Sequence, residues 1–327
     1  MPKFLKIIVF LYCLLFGLQS FSQIKPAENS AFTVTTKDID NFWVAFDMLK
    51  NCNSSLDSIY CLKEYLFDNG TDGFKEFIRI YDYTSEDYLE AIRNYPKFFN
   101  SVRANTLLTK EIYPEIIQLF QKIEKYYPNY IPLKICFVIS PLRAGGTSTR
   151  EFLFIGAEII TSSNKVDLSE FGLNALGKIL DSDTNIDKRL IYVIAHETIH
   201  HLQVNARLDN YDLLNRSLFE GAADFIAWLL TGVRGNAYLY DYGISHEKEL
   251  WMKFKKDIEA GVNTDNWMYN FDRVENDLPP DLGYFMGYRI VEAYFNKCLD
   301  KHQAVLDIIE MKNPEEFFKK SGYNPDS

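Results

Sequence analysis

The chain is 327 residues long and acidic, with 45 Asp and Glu against 35 Lys and Arg and a formal charge of −10. That balance argues against nucleic acid or an anionic membrane surface as partner. Apolar residues are 47% of the chain, enough to bury a substantial core in one large or two modest domains.

Residues 1–22 read as a secretory signal peptide. Lys3 and Lys6 make a basic n-region, residues 7–18 an apolar h-region, and Ser20 and Ser22 place small residues at −3 and −1. Cleavage is expected between Ser22 and Gln23, giving an exported protein, periplasmic or secreted. The apolar run falls short of the about 20 residues a membrane span needs, and no later segment is long and apolar enough. Retention as an uncleaved anchor is the alternative. Cys13 lies inside the apolar run without the small residues of a lipoprotein cleavage site. Of the later cysteines, Cys52 and Cys61 are near enough in sequence to bridge in an oxidising compartment, or to sit as two buried thiols on helices.

Residues 23–130 form a helical N-terminal region. Apolar periodicity predicts helices over 38–50, 55–67, 72–81, 85–93 and 96–104, then a longer one over 107–126 bent at Pro114. Asn69-Gly70 ends the second of these, and Asp72 caps the third. Phe, Tyr and Trp recur at steps of three and four, the spacing of core packing between helices rather than of a ligand groove.

Strand signals begin after Pro132. Residues 133–139 are short, β-branched and bounded by prolines; a turn through Gly145-Gly146 leads to a second strand over 151–155 and a third apolar run over 158–161. No Lys-Ser/Thr follows the Gly pair, so it is not a phosphate loop. A short helix over 173–180 and a polar loop over 181–187 come next.

The chemistry concentrates in 190–230. No Gly or Pro interrupts 189–208, and its apolar positions predict a helix. At about 100° per residue, His196 and His200 in His-Glu-Thr-Ile-His lie about 40° apart, one turn from each other, where one metal ion can take both imidazoles. Glu197 projects beside that face, able to reach a water on the metal. A third ligand must come from elsewhere, and Glu220 is offered at the start of a second apolar helix running to about Leu230. Asp224, one turn on, can accept the spare imidazole N–H of a ligand histidine. Gly221, Ala222 and Ala223 are small enough for this helix to approach the first closely. His201 points away from the ligand face.

An aromatic loop is expected over 238–242, then a helix over 245–259 capped by Ser245, with His246 on its surface. A further helix over 281–299 places Tyr284 and Tyr288 on one face, with Gly283 and Gly287 allowing close approach and Arg289 able to pair with Glu292. Helices before and after Pro314 finish the chain. No helical face carries a clean heptad repeat, and no oligomeric state is assigned.

The run HETIH followed by EGAAD resembles the gluzincin group of zinc metallopeptidases, and its EGxADF form is similar to bacterial proteins predicted to be zinc-dependent proteases. The resemblance covers 190–230 and, more loosely, the Gly-Tyr segment near residue 285. It implies a single zinc ion held by His196, His200 and Glu220, with Glu197 as general base and Asp224 orienting a histidine. It also implies that a tyrosine, Tyr288 ahead of Tyr284, steadies the oxyanion, and that Phe152–Gly156 is a sheet edge pairing with extended substrate. From the residues alone, that strand is equally an internal hairpin strand.

The expected fold is α+β and predominantly helical: a zincin-like core over 131–327, with a small β-sheet beside the metal-binding helix, preceded by the all-helical layer. The expected function is exported, zinc-dependent hydrolysis of a peptide or protein substrate, in which a water on the zinc attacks and Glu197 moves its proton. The alternative is an exported binding or assembly protein on a zincin-like scaffold, its zinc structural or vestigial.

Overall fold

A computed structural model describes residues 32–172, 174–203, 212–235, 237–270 and 278–325. The expected signal peptide lies outside the described residues. Two compact units emerge. One holds the described residues up to Gly172 together with Leu180–Leu190; the other holds 174–179 and the described residues from Ile191 on. The protein is α+β and predominantly helical, with one small mixed sheet.

In the first unit the helices are α1 (Lys37–Met48), α2 (Ser55–Leu62), α3 (Asp72–Tyr81), α4 (Ser85–Asn94), α5 (Pro96–Thr106) and α6 (Tyr113–Glu124). α1 buries Ile39, Phe42, Trp43, Ala45 and Phe46, a stripe at helical spacing. The larger of these, such as Ile39 and Phe42, each contribute on the order of 1.5–3 kcal/mol when fully buried. Thr71, not the expected Asp72, caps α3, because its hydroxyl accepts the Phe74 N–H and leaves Asp72 in the first turn; Thr84 with Asp87 forms a reciprocal capping box on α4. The expected bend at Pro114 is instead a helix start: a 3-10 turn over Leu107–Lys110 precedes it, and proline in the first turn of α6 forfeits no hydrogen bond. Cys52 and Cys61 are free thiols. Burial, and then Cys52 beside it, pushes the Cys61 thiol up to about 11.

The sheet belongs to this first unit. Its strands, β1 (Val34–Thr35), β2 (Lys134–Val138), β3 (Gly146–Ser148) and β4 (Phe152–Gly156), run in the order β1-β2-β4-β3. β2 pairs in parallel with β1 and β4, while β3 folds back antiparallel on β4 through Gly146↔Ile155. Phe152–Gly156 is therefore an inner strand, not the expected substrate-pairing edge, because both of its hydrogen-bonding sides are occupied. Ile135 to Val138 are all buried, as a strand covered on both faces requires. The apolar run after it becomes a helical turn, α7 (Ala157–Ile160).

The remaining helices are α8 (Ala175–Leu180), α9 (Ile186–Leu202), α10 (Leu213–Thr231), α11 (Ala237–Ser245), α12 (Glu247–Glu259), α13 (Leu282–Lys297), α14 (Lys301–Ile309) and α15 (Pro314–Ser321). α10 begins earlier than expected, capped by Asp212 and ended by Gly232 at φ 73°, so Glu220 sits in mid-helix. The expected aromatic loop over 238–242 is the helix α11, with Leu239, Tyr240 and Gly243 turned inward. Ser245 ends α11, so His246 rather than Ser245 takes the N-cap position of α12.

α10 and α13 cross in backbone contact. A Cβ on Gly221 would stand 2.2 Å from the carbonyl carbon of Gly287, and one on Gly287 would stand 1.7 Å from the Ser217 oxygen. Gly221 thus admits α13, not α9 as its place in the motif led us to expect. Among the described residues no helix is long and apolar enough to cross a membrane.

Candidate metal centre

α9 carries His196 and His200 one turn apart. Leu190, Ile194, Ala195 and Ile199 bury the helix's apolar face. α10 brings Glu220 opposite. His200 Nε2 lies 2.9 Å from His196 Nε2 and 3.0 Å from Glu220 Oε2, and His196 Nε2 lies 3.5 Å from the same oxygen. The side chains are 12% exposed at His196, 5% at His200 and 1% at Glu220, so among the described residues the cluster is nearly enclosed.

The surrounding hydrogen bonds decide which atoms carry protons. Gln203 donates through Nε2 to the Phe219 carbonyl at 2.9 Å, which turns its Oε1 to His200 Nδ1 at 2.7 Å. His200 Nδ1 must then hold the hydrogen, leaving a lone pair on Nε2. Phe219 also stacks on the His200 ring, centroids 4.4 Å apart. At the other imidazole, Asp224 Oδ1 stands 2.8 Å from His196 Nδ1, close but poorly aligned for a hydrogen bond. Asp224 is itself gripped by the hydroxyls of Tyr192 and, at 2.6 Å, Tyr240. Both imidazoles thus turn Nε2 toward Glu220.

Two ring nitrogens and a carboxylate oxygen this close repel one another unless positive charge sits among them. A proton can supply it. Burial disfavours the charged imidazole, but the Asp224 and Glu220 carboxylates outweigh that and hold His196 well above its usual range. Burial likewise works against an ionised Glu220, and the two histidines overcome it, holding its carboxyl well below the usual range. A metal cation can replace that proton. Zinc bonds of about 2.0–2.1 Å in a tetrahedron separate ligand atoms by roughly 3.3 Å, so the observed spacings fit a tetrahedral N2O face. These residues are the described group whose ligand atoms all fall within 4.8 Å of one another.

Glu197 is 6% exposed, and its Oε2 has no hydrogen-bond partner. Burial raises its carboxyl above the ordinary value, with His196 and His200 pulling the other way. An orphaned carboxylate oxygen beside a would-be cation site is costly unless something binds there.

The two tyrosines expected near the site part company. Tyr284 stacks over His196, ring centroids 6.5 Å apart. Tyr288, one turn on, is 1% exposed and packs against Tyr240, Phe225 and Trp228. Arg289 is spent on Glu247, at 2.7 Å, and Glu292. His246 stacks on Tyr242 at 4.1 Å and takes no part in the cluster. Four residues were not foreseen: Tyr192, Gln203, Tyr240 and Tyr269. The first two lie one helical turn from a ligand histidine, so their spacing was a usable signal. Tyr240 and Tyr269 reach the site only through tertiary packing. Tyr269 donates to Glu220 Oε1 at 2.6 Å.

Residues 245–325 match the family described as Gliding motility protein GldB. That stretch holds Tyr269, Tyr284 and Tyr288 but none of His196, Glu197, His200 and Glu220. No curated protein and no solved structure matches the chain.

Proposed function

We propose that this chain is an exported binding or assembly protein of the cell envelope, built on a zincin-like scaffold that holds one zinc ion at His196, His200 and Glu220. The match of residues 245–325 to a gliding motility family supports the assembly role. The convergence of three lone-pair atoms within 3.5 Å, with both imidazole Nε2 atoms facing Glu220, carries the metal. Purified mature protein is expected to contain one zinc per chain, and His196→Ala, His200→Ala or Glu220→Gln to lose it. Wild-type protein that neither retains nor takes up zinc would sink the metal reading. Fractionation of the producing cell tests the role: the chain should co-sediment with envelope assemblies, and a chain found wholly free in the exported soluble fraction speaks against it.

A second reading is a gluzincin-type zinc peptidase acting on a peptide or protein substrate. One observation favours it: the buried, unpartnered Oε2 of Glu197, which a purely structural zinc site has no use for. When bound, zinc would supply the positive charge that polarises a carbonyl and acidifies water. Glu197, its proton affinity raised by burial, takes the proton at Oε2 and returns it to the leaving amine. The Asp224 carboxylate, 2.8 Å from His196 Nδ1, favours positive charge on that ring, and Tyr284 stands beside it where a donor for the oxyanion is wanted. A fluorogenic peptide library separates the readings. Chelator-sensitive cleavage that disappears in Glu197→Gln, with zinc content unchanged, establishes the peptidase. Wild-type protein loaded with zinc but inert across the library leaves the binding role.

A further inference from the structure

Glu220 has two oxygens, and the fold treats them differently. Oε2 faces both imidazoles, while Oε1 accepts the Tyr269 hydroxyl at 2.6 Å. Tyr269 is also held with unusual care. Its backbone sits in the left-handed region at φ 55°, a conformation side chains of its size rarely adopt. Its N–H donates to Asp281 Oδ1 at 2.5 Å. Asp281 is left-handed too, at φ 64°, and its own N–H donates to Asn270 Oδ1 at 2.9 Å. Asp281 thus braces Tyr269 while Asn270 braces Asp281, and the chain of support ends in a phenol aimed at one oxygen of Glu220.

We propose that Tyr269 is a positioning residue that makes Glu220 a one-oxygen ligand. The inference rests on the metal reading above. With Oε1 occupied by the phenol, Glu220 enters the coordination sphere through Oε2 alone, and a tetrahedral ion keeps its fourth position open. Without the phenol, Oε1 is free to swing onto the ion, take a further position and close the site. Asp281 acts one step behind, by fixing the backbone from which Tyr269 reaches.

Cobalt(II) exchanged into the zinc site tests this without any activity assay, since four-coordinate cobalt absorbs visible light several-fold more strongly than five- or six-coordinate cobalt. Wild-type protein should show the intense four-coordinate spectrum. In Tyr269→Phe one cobalt per chain should still bind, with the visible absorption falling several-fold and metal affinity dropping about 10- to 100-fold, the usual effect of losing a ligand's outer partner. Asp281→Ala should move in the same direction, and Asp281→Asn, which keeps an acceptor oxygen for the Tyr269 N–H, should restore the wild-type spectrum. A weak, high-coordinate spectrum in the wild type overturns the proposal even if no variant folds. So does a Tyr269→Phe spectrum identical to wild type. A wild type that binds no metal at all refutes the metal reading instead, which keeps the two failures apart.

Discussion

The two histidines of the centre are not equivalent. His196 is backed by Asp224, a carboxylate held by two phenols, whereas His200 is backed by the neutral amide of Gln203. A charged partner raises the basicity of its imidazole more than an amide does. Gln203 instead fixes orientation, since its own amide is locked by the Phe219 carbonyl. Gln203→Leu removes the acceptor for the His200 Nδ1 hydrogen and frees the ring to exchange tautomers. Zinc affinity should fall by about 10- to 100-fold, read by competition against a chromogenic chelator. Unchanged affinity would show that packing on Phe219 alone orients the ring.

At the scale of elements, the site depends on how closely α10 and α13 approach. Ser217 and Gly221 flank Glu220 on α10, and both meet the backbone of α13 at Gly287. A methyl group at Gly287 has nowhere to go, because the Ser217 oxygen and the Gly221 Cα are backbone atoms. Gly287→Ala should therefore cost up to about 3 kcal/mol, the upper range for overpacking, and should weaken zinc binding as Glu220 is displaced with its helix. At Gly283 the nearest atom is Met268 Cγ, 2.5 Å away, on a side chain that can repack. Gly283→Ala should cost clearly less. Denaturant unfolding of the two variants checks the order, and equal costs would mean the helices separate more easily than the geometry implies.

Across the whole molecule, pH acts on a buried carboxyl outside the candidate metal centre. Glu158 in the first unit is fully buried and accepts hydrogen bonds from Ser140, 3.0 Å from its backbone N–H. Burial pushes its carboxyl up to about 8, with the Ser140 bonds resisting. Its folded value thus lies above its unfolded one, near 4.5, so the folded protein holds a proton that the unfolded chain releases. The resulting stability is complete below pH 4.5 and is lost as pH rises toward 8. In chelator-treated protein the melting temperature should fall between pH 5 and 8, and Glu158→Gln should flatten that slope at the expense of about one hydrogen bond, roughly 1–2 kcal/mol. Parallel pH profiles for wild type and variant would clear Glu158 of the effect.

What can be read along the chain is what neighbours in sequence settle between themselves. The His196–His200 pair belongs here, since four residues is one helical turn whatever lies around it. So do Asp224 one turn after Glu220 and the short β-branched strand over Lys134–Val138. Tertiary structure decided which residues from elsewhere complete each feature. Phe152–Gly156 has the composition of a strand, but only the return of Gly146–Ser148 makes it an inner one. Tyr240 and Tyr269 carry no local mark of a site; they matter because folding brings their hydroxyls onto Asp224 and Glu220. Helical periodicity records which face of a segment is buried, not what it is buried against. The partners of a buried polar atom are set by packing between distant segments, so the candidate ligand residues His196, His200 and Glu220 were legible from the sequence, while which of their atoms face one another and the groups that aim them, Tyr240 and Tyr269 above all, were not.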